Sequence, residues 1–207
     1  MSASHNNADR LVFFGDAVFA IIITLLVLGL RPPDGEDWHA LLGLWPSFVS
    51  YGVSYLFLAI VWVNHHHLFR HRPTPTSQLI WANFAHLFSV SFVPFTTIWI
   101  ANTRLAPVPV AIYAFVFLLV NATYMMLCME VLDRQHMHAI PGPVRRAMLR
   151  RSVLTLLAFL AAAVIALIYP IAGLVIVCFC LILYLRPEIA ESAKTLSSHD
   201  GLQDDKP

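Results

Sequence analysis

Long apolar runs dominate this chain and limit it to one kind of fold. Leu11–Leu30, Leu41–Val63, Leu79–Ile100, Val108–Leu132, Val153–Ile168 and Ile171–Leu185 carry almost no charge. Short polar or proline-bearing stretches divide the first five: Arg31–Ala40, Asn64–Gln78, Ala101–Pro107 and Asp133–Ser152. A hydrocarbon core of about 30 Å is crossed by roughly 20 helical residues at 1.5 Å each. Charge agrees with length. Only 12% of the 207 residues are charged and the mean hydropathy is +0.70, whereas a soluble domain carries about 25% charged residues. The sequence predicts an all-α membrane protein with six transmembrane helices per subunit. Residues 1–10 form an N-terminal segment, 11–185 the transmembrane domain and 186–207 a polar, disordered tail.

The last apolar stretch decides the count of crossings. As one helix, Val153–Leu185 would reach about 50 Å, well beyond a bilayer core. Pro170, followed by Gly173, offers a break. Arg145, Arg146, Arg150 and Arg151 precede the stretch and Arg186 follows it. Both ends therefore prefer the cytoplasm, and the stretch is a hairpin. With the N-terminus inside, the cytoplasmic segments hold Arg10, Arg70, Arg72, Arg134, those five arginines, Lys194 and Lys206, while the outer loops hold only Arg31 and Arg104. This asymmetry places both termini in the cytoplasm. The first run contains Asp16 and no A-x-A-like site follows it, so it stays in the protein as the first helix. Cys128, Cys178 and Cys180 lie within apolar runs and read as small buried hydrophobes. A net charge of +1 without a basic stripe gives no sign of a nucleic-acid partner.

Asp16 is the residue that a spanning helix should lack. A mid-membrane carboxylate costs about 2.5–3.5 kcal/mol on insertion scales, so such a group usually faces protein and has a partner, the alternative being an Asp close enough to the interface to be hydrated. Depth suggests the partners. The second span runs outward to inward and ends in Trp62-Val-Asn-His65-His-His67, and the third starts at the same side with Asn83 and His86. Arg10, Asp16, Trp62, His65, Asn83 and His86 are expected in one inner layer, satisfying one another as a structural clasp. His65 could instead serve as a proton relay or pH sensor. His65, His66, His67 and His71 do not read as a metal site, because successive helical side chains diverge by about 100°. No metal or other cofactor is implied. Serine-hydrolase, P-loop, dinucleotide and zinc-protease patterns are absent, as is a T-V-G-Y-G filter.

Arg10-Leu-Val-Phe-Phe14-Gly15-Asp16, running into an apolar helix with Thr24-Leu-Leu, resembles the R-x-x-x-F-S-D opening helix of the transmembrane protein 175 family. Gly15 stands where that family has serine. Trp62-x-x-His65 in the second span and Asn83-x-x-x-Leu87 with Pro94-Phe-Thr96 in the third match further family patterns. The family comprises potassium-favouring cation channels of bacteria, archaea and animal lysosomes. The resemblance implies a homotetramer of single-repeat subunits, with the first helix lining one pore. Its constriction, made of bulky apolar side chains, falls here on Ile21, Thr24, Leu25 and Leu28. It also implies a structural polar network that includes Phe14 beside the clasp residues, and Gly15 removes one hydroxyl from it. At about 100° per residue, the four constriction positions project between about 80° and 180° from Asp16. The proposed pore face and the Asp16 face thus differ.

The function expected is a passive potassium-preferring channel, with potassium ions as permeant partner and membrane lipid as surroundings. Arginine-rich usage, eleven Arg against two Lys, fits a GC-rich bacterial source and hence the bacterial plasma membrane. A narrow apolar ring would gate by dewetting and select by the cost of stripping hydration. The alternative is a proton- or ion-coupled secondary transporter using the Asp16/His65/His86 layer, although such proteins more often show inverted repeats and broken helices. An enzyme is not expected, since no nucleophile–base pair sits at matching depth.

Overall fold

A computed structural model of the protein describes residues 2–69, 75–135 and 142–182. Every element among them is a helix. They are α1 (Ser2–Leu28), α2 (Trp38–Leu42), α3 (Trp45–Phe69), α4 (Ser77–Ser91), α5 (Val93–Asn102), α6 (Pro107–Gln135), α7 (Gly142–Ala166) and α8 (Pro170–Ile182). Four stretches are long and apolar enough to cross a bilayer: Asp9–Leu28, Trp45–Phe69, Ser77–Asn102 and Pro107–Val131. Arg70, Arg72, His71, His136, His138 and the 186–207 tail lie outside the described residues.

Several boundaries differ from the sequence expectation, among them the start of α7 at Gly142, ahead of the apolar run at Val153. The second run does not start at Leu41. Asp37 caps α2 by accepting the Ala40 N–H at 2.8 Å, Gly43 ends it, and α3 begins at Trp45 with Pro46 in its first turn, where no N–H is needed. The third run is two helices meeting at Phe92. Pro94 cannot donate to the Val90 carbonyl, so the ladder breaks. Side-chain hydroxyls cover nearby carbonyls: Ser91 Oγ donates to Phe88 O at 2.7 Å and Thr97 Oγ1 to Val93 O at 2.7 Å. The first helix begins at Ser2, well before the apolar run.

The chain doubles back between α7 and α8. A Cβ on Gly173 would lie 2.6 Å from Ala166 Cβ and 2.8 Å from Ala162 O. In one continuous helix those residues would stand about 10 and 16 Å away. Pro170 opens α8, and Gly173 with Ala162 and Ala166 makes the small-residue seam that lets the backbones touch.

Helix α6 lies at the centre, against α4, α5 and α7, while α1 packs on α3, α4 and α5. Lipid tails are as apolar as leucine, so close packing and hydrogen bonds hold these helices together. Phe57 of α3 stacks on Phe117 of α6 at 3.7 Å and 9°, with Phe159 of α7 edge-on at 5.8 Å from Phe117. Ser54, Thr97 and Tyr113 join α3, α5 and α6 by a buried hydroxyl chain. Thr97 is spent on Val93 O, so the Tyr113 hydroxyl donates to Ser54 Oγ (2.8 Å) and Ser54 donates to Thr97 Oγ1 (2.6 Å).

Candidate functional site

Helix α1 has two faces that differ in what covers them. Gly15, Phe19, Ile22 and Leu26 recur every three or four residues and point into the bundle; Ile22 is 4% and Leu26 1% exposed. On the other side Arg10, Phe14, Ala17, Ile21, Thr24, Leu25 and Leu28 form an uncovered stripe, with Ile21 59% and Leu28 74% exposed. Only 22% of the apolar stretch of α1 is buried, against 39–50% for the other three long spans. The four residues Ile21, Thr24, Leu25 and Leu28 are therefore together on a face that the subunit leaves open. Thr24 Oγ1 donates to Ile21 O at 2.8 Å, which leaves its lone pairs turned off the helix.

Asp16 sits at the edge between the faces. Its Oδ1 accepts the Trp62 Nε1–H of α3 at 2.9 Å. One step behind it, His65 is seated against Gly15: a Cβ there would fall 2.9 Å from His65 Cε1. His65 Nε2 meets Asn83 Oδ1 of α4 at 2.8 Å, and His86 Nδ1 meets Thr123 Oγ1 of α6 at 3.2 Å. The two imidazoles are nearly parallel, 9° apart with centroids 5.9 Å apart, and Phe19 of α1 lies against both. His65, Asn83 and His86 are all buried.

The structure thus brings Asp16 to Trp62, and His65 to Asn83 and His86, at one depth across α1, α3 and α4. Two expected members stand apart. Phe14 is half-exposed, with its ring 5.3 Å from Phe84. Arg10 is exposed in a groove with Leu11, Phe14, Pro75, Ile80 and Phe84, and makes no ion pair with Asp16 among the described residues. Depth alone had joined it to the layer. The azimuth separates it, because Arg10 lies about 120° around the helix from Asp16. His66 and His67 are exposed on α3, away from the buried His65. Sequence reasoning missed Thr123, and also Tyr124, whose hydroxyl donates to Asn64 O at 3.2 Å. Both are polar residues within the fourth apolar run, at the depth of the histidines.

What this arrangement supplies is placement rather than bond-making chemistry. One helix is clamped along its back by polar and aromatic contacts, and its apolar front is left for something outside the subunit. Against known proteins, residues 10–94 match the family described as endosomal/lysosomal potassium channel TMEM175. That segment contains the α1 stripe and every α1, α3 and α4 residue of the polar layer. A potassium channel from Chryseobacterium is 39% identical over 118 residues, which are 57% of this chain and 62% of that protein. One from Streptomyces collinus is 33% identical over 152 residues, 69% of this chain and 74% of that protein. The crystal structure of a lysosomal potassium-selective channel TMEM175 homolog from Chamaesiphon minutus superposes with a TM-score of 0.76 at 26% identity. The match covers 88% of this chain and 98% of that one. The chain is a multi-pass membrane protein and belongs to the TMEM175 family, a family of ion channels and not of enzymes.

Proposed function

We propose that the chain is a potassium-preferring cation channel of a bacterial plasma membrane. It assembles as a homotetramer, each subunit crossing the membrane six times with both termini cytoplasmic. The α1 helices surround one pore, narrowed by Ile21, Thr24, Leu25 and Leu28. The observation that carries this reading is the uncovered stripe of α1 opposite a fully seated back face. A lipid-facing stripe needs no such fixing, whereas a pore wall must hold its radius. The relatives named as potassium channels support the choice of ion. Bulky apolar side chains in a ring hold water poorly, so a permeating ion sheds hydration there, and potassium sheds it at lower cost than sodium.

The α7–α8 reversal supports the two final crossings, and the distribution of arginine supports the orientation. The test is conductance of the purified protein in a planar bilayer under opposed potassium and sodium gradients. Unitary currents reversing towards the potassium equilibrium potential are expected. Stoichiometric, non-unitary flux coupled to a proton gradient would favour the transporter reading instead.

A further inference from the structure

Helix α2 is short, yet its two sides are unlike. No residue of it is buried. Trp38 is 80% and Leu42 70% exposed, and Leu41 is exposed beside them. At about 100° per residue these three fall within one arc of about 100°, and His39 and Ala40 lie outside it. The other side is met by the chain's own polar loop: a Cβ on Gly35 would lie 3.0 Å from Ala40 Cβ. That loop carries Asp34, Glu36 and Asp37, all of them exposed. Charge therefore gathers behind α2, and bulky apolar side chains stand in front of it. Trp45, Phe48 and Val49, in the first turns of α3, are exposed as well, so in chain order the apolar surface passes straight into a membrane span.

The chain also fixes the depth of α2. Leu42 precedes Trp45 by three residues, so α2 ends within about 10 Å of the first residue of a spanning helix. Residues 29–37, Pro32 and Pro33 among them, lead back to Leu28 at the end of α1. An element tied to two span ends in this way lies where hydrocarbon gives way to headgroups. An indole suits that boundary, because its ring is apolar and its N–H can bond a headgroup oxygen. We propose that α2 is an interfacial anchor, lying along the bilayer surface with Trp38, Leu41 and Leu42 among the lipid headgroups and the 34–37 loop in water. Five residues offer far less than the roughly 800 Å² per partner that a specific protein interface buries, and the loop before them is charged, so lipid and not a second copy is the occupant. An amphipathic element of this kind gains from the interface in proportion to the apolar area it sinks there. The anchor holds the adjoining ends of α1 and α3 at a set height in the bilayer, as interfacial tryptophans do for spanning helices. The inference needs only that the chain spans a membrane, and it holds whether or not α1 lines a pore.

Fluorine NMR of the full chain, labelled with fluorotryptophan and held in phosphatidylcholine–phosphatidylglycerol nanodiscs, tests it. The Trp38 signal is the one that disappears in Trp38→Phe. It should be broadened most by a lipid nitroxide placed just below the headgroup, and less by a nitroxide at the chain end or by an aqueous gadolinium chelate. Leu42→Asp, on the apolar front, should shift the Trp38 signal towards broadening by the chelate, whereas His39→Asp, outside that arc, should leave the order unchanged. Strongest broadening by the chelate places Trp38 in water, and strongest broadening by the chain-end nitroxide places it deep in hydrocarbon. Protection from all three agents means that a second copy covers it. Each of these results overturns the proposal, as does an equal response to Leu42→Asp and His39→Asp. Should Trp38→Phe fail to fold, trifluoromethyl-phenylalanine inserted at position 38 by amber suppression supplies the same signal.

Discussion

Asp16 of α1 accepts the Trp62 Nε1–H of α3 at 2.9 Å. Hydrogen bonds to a charged group contribute about 1.5–3 kcal/mol, less where the site is open, and Trp62 is partly exposed. Trp62→Phe is therefore expected to lower the unfolding free energy of the purified protein by about 1–2 kcal/mol, read as a shift in a detergent thermal melt. Asp16→Ala should weaken assembly or expression more than ion preference, because Asp16 does not lie on the uncovered stripe. An assembled Asp16→Ala channel with lost preference would place Asp16 in the permeation path. Gly15 offers a sharper case. A serine there pushes its Cβ onto His65, and His65 is held by Asn83, so it cannot swing aside freely. Gly15→Ser should cost about 1–3 kcal/mol by overpacking, and His65→Ala in the same chain should relieve most of that added cost. Additive losses in the double variant would mean that the Gly15–His65 contact is not the cause. The absent serine hydroxyl thus matters less than the space it vacates.

At the scale of helices, close approach concentrates at Gly173, where α8 meets Ala162 and Ala166, and at Gly29, where a Cβ would meet Ile98 at 2.6 Å. Gly52 faces nothing within 4 Å. Gly173→Val should disrupt the α7–α8 hairpin by about 3 kcal/mol or more, because part of the clash is with backbone. Gly52→Ala should be neutral or stabilising by up to about 1 kcal/mol, from helix propensity. Comparing expression and melting of the two variants checks both. The apolar runs, Pro170 and Gly173 made the helices and the reversal legible from residues alone. The split at Phe92 was not read, although Pro94 was visible, because a proline in a membrane helix can either kink or break it depending on which neighbours cover the freed carbonyls. The Asp16–Trp62 and His65–Asn83 pairs were legible because antiparallel neighbours of known direction can be ranked by depth. Thr123 was not, since nothing in the fourth run marks which of its faces turns towards His86.

The described residues form a bundle with α6 at its centre, and α1 is the most open of the four long apolar spans. That layout suits an assembly in which α1 of each copy meets a shared axis. Cytoplasmic reporters fused at Ser2 and Pro207 should both be active, and opposite sides would contradict an even number of crossings. The most direct measurement is ion flux into liposomes containing the parent, Ile21→Asn, Leu28→Ala and Ile23→Asn. Ile21 and Leu28 lie on the uncovered stripe, whereas Ile23 packs partly against the core. A wider or more polar ring hydrates more easily. Ile21→Asn and Leu28→Ala should therefore raise total flux and reduce the preference for potassium over sodium, while Ile23→Asn should alter folding yield without changing that preference. Unchanged flux and preference in both stripe variants would contradict the account and mean that α1 does not form the filter.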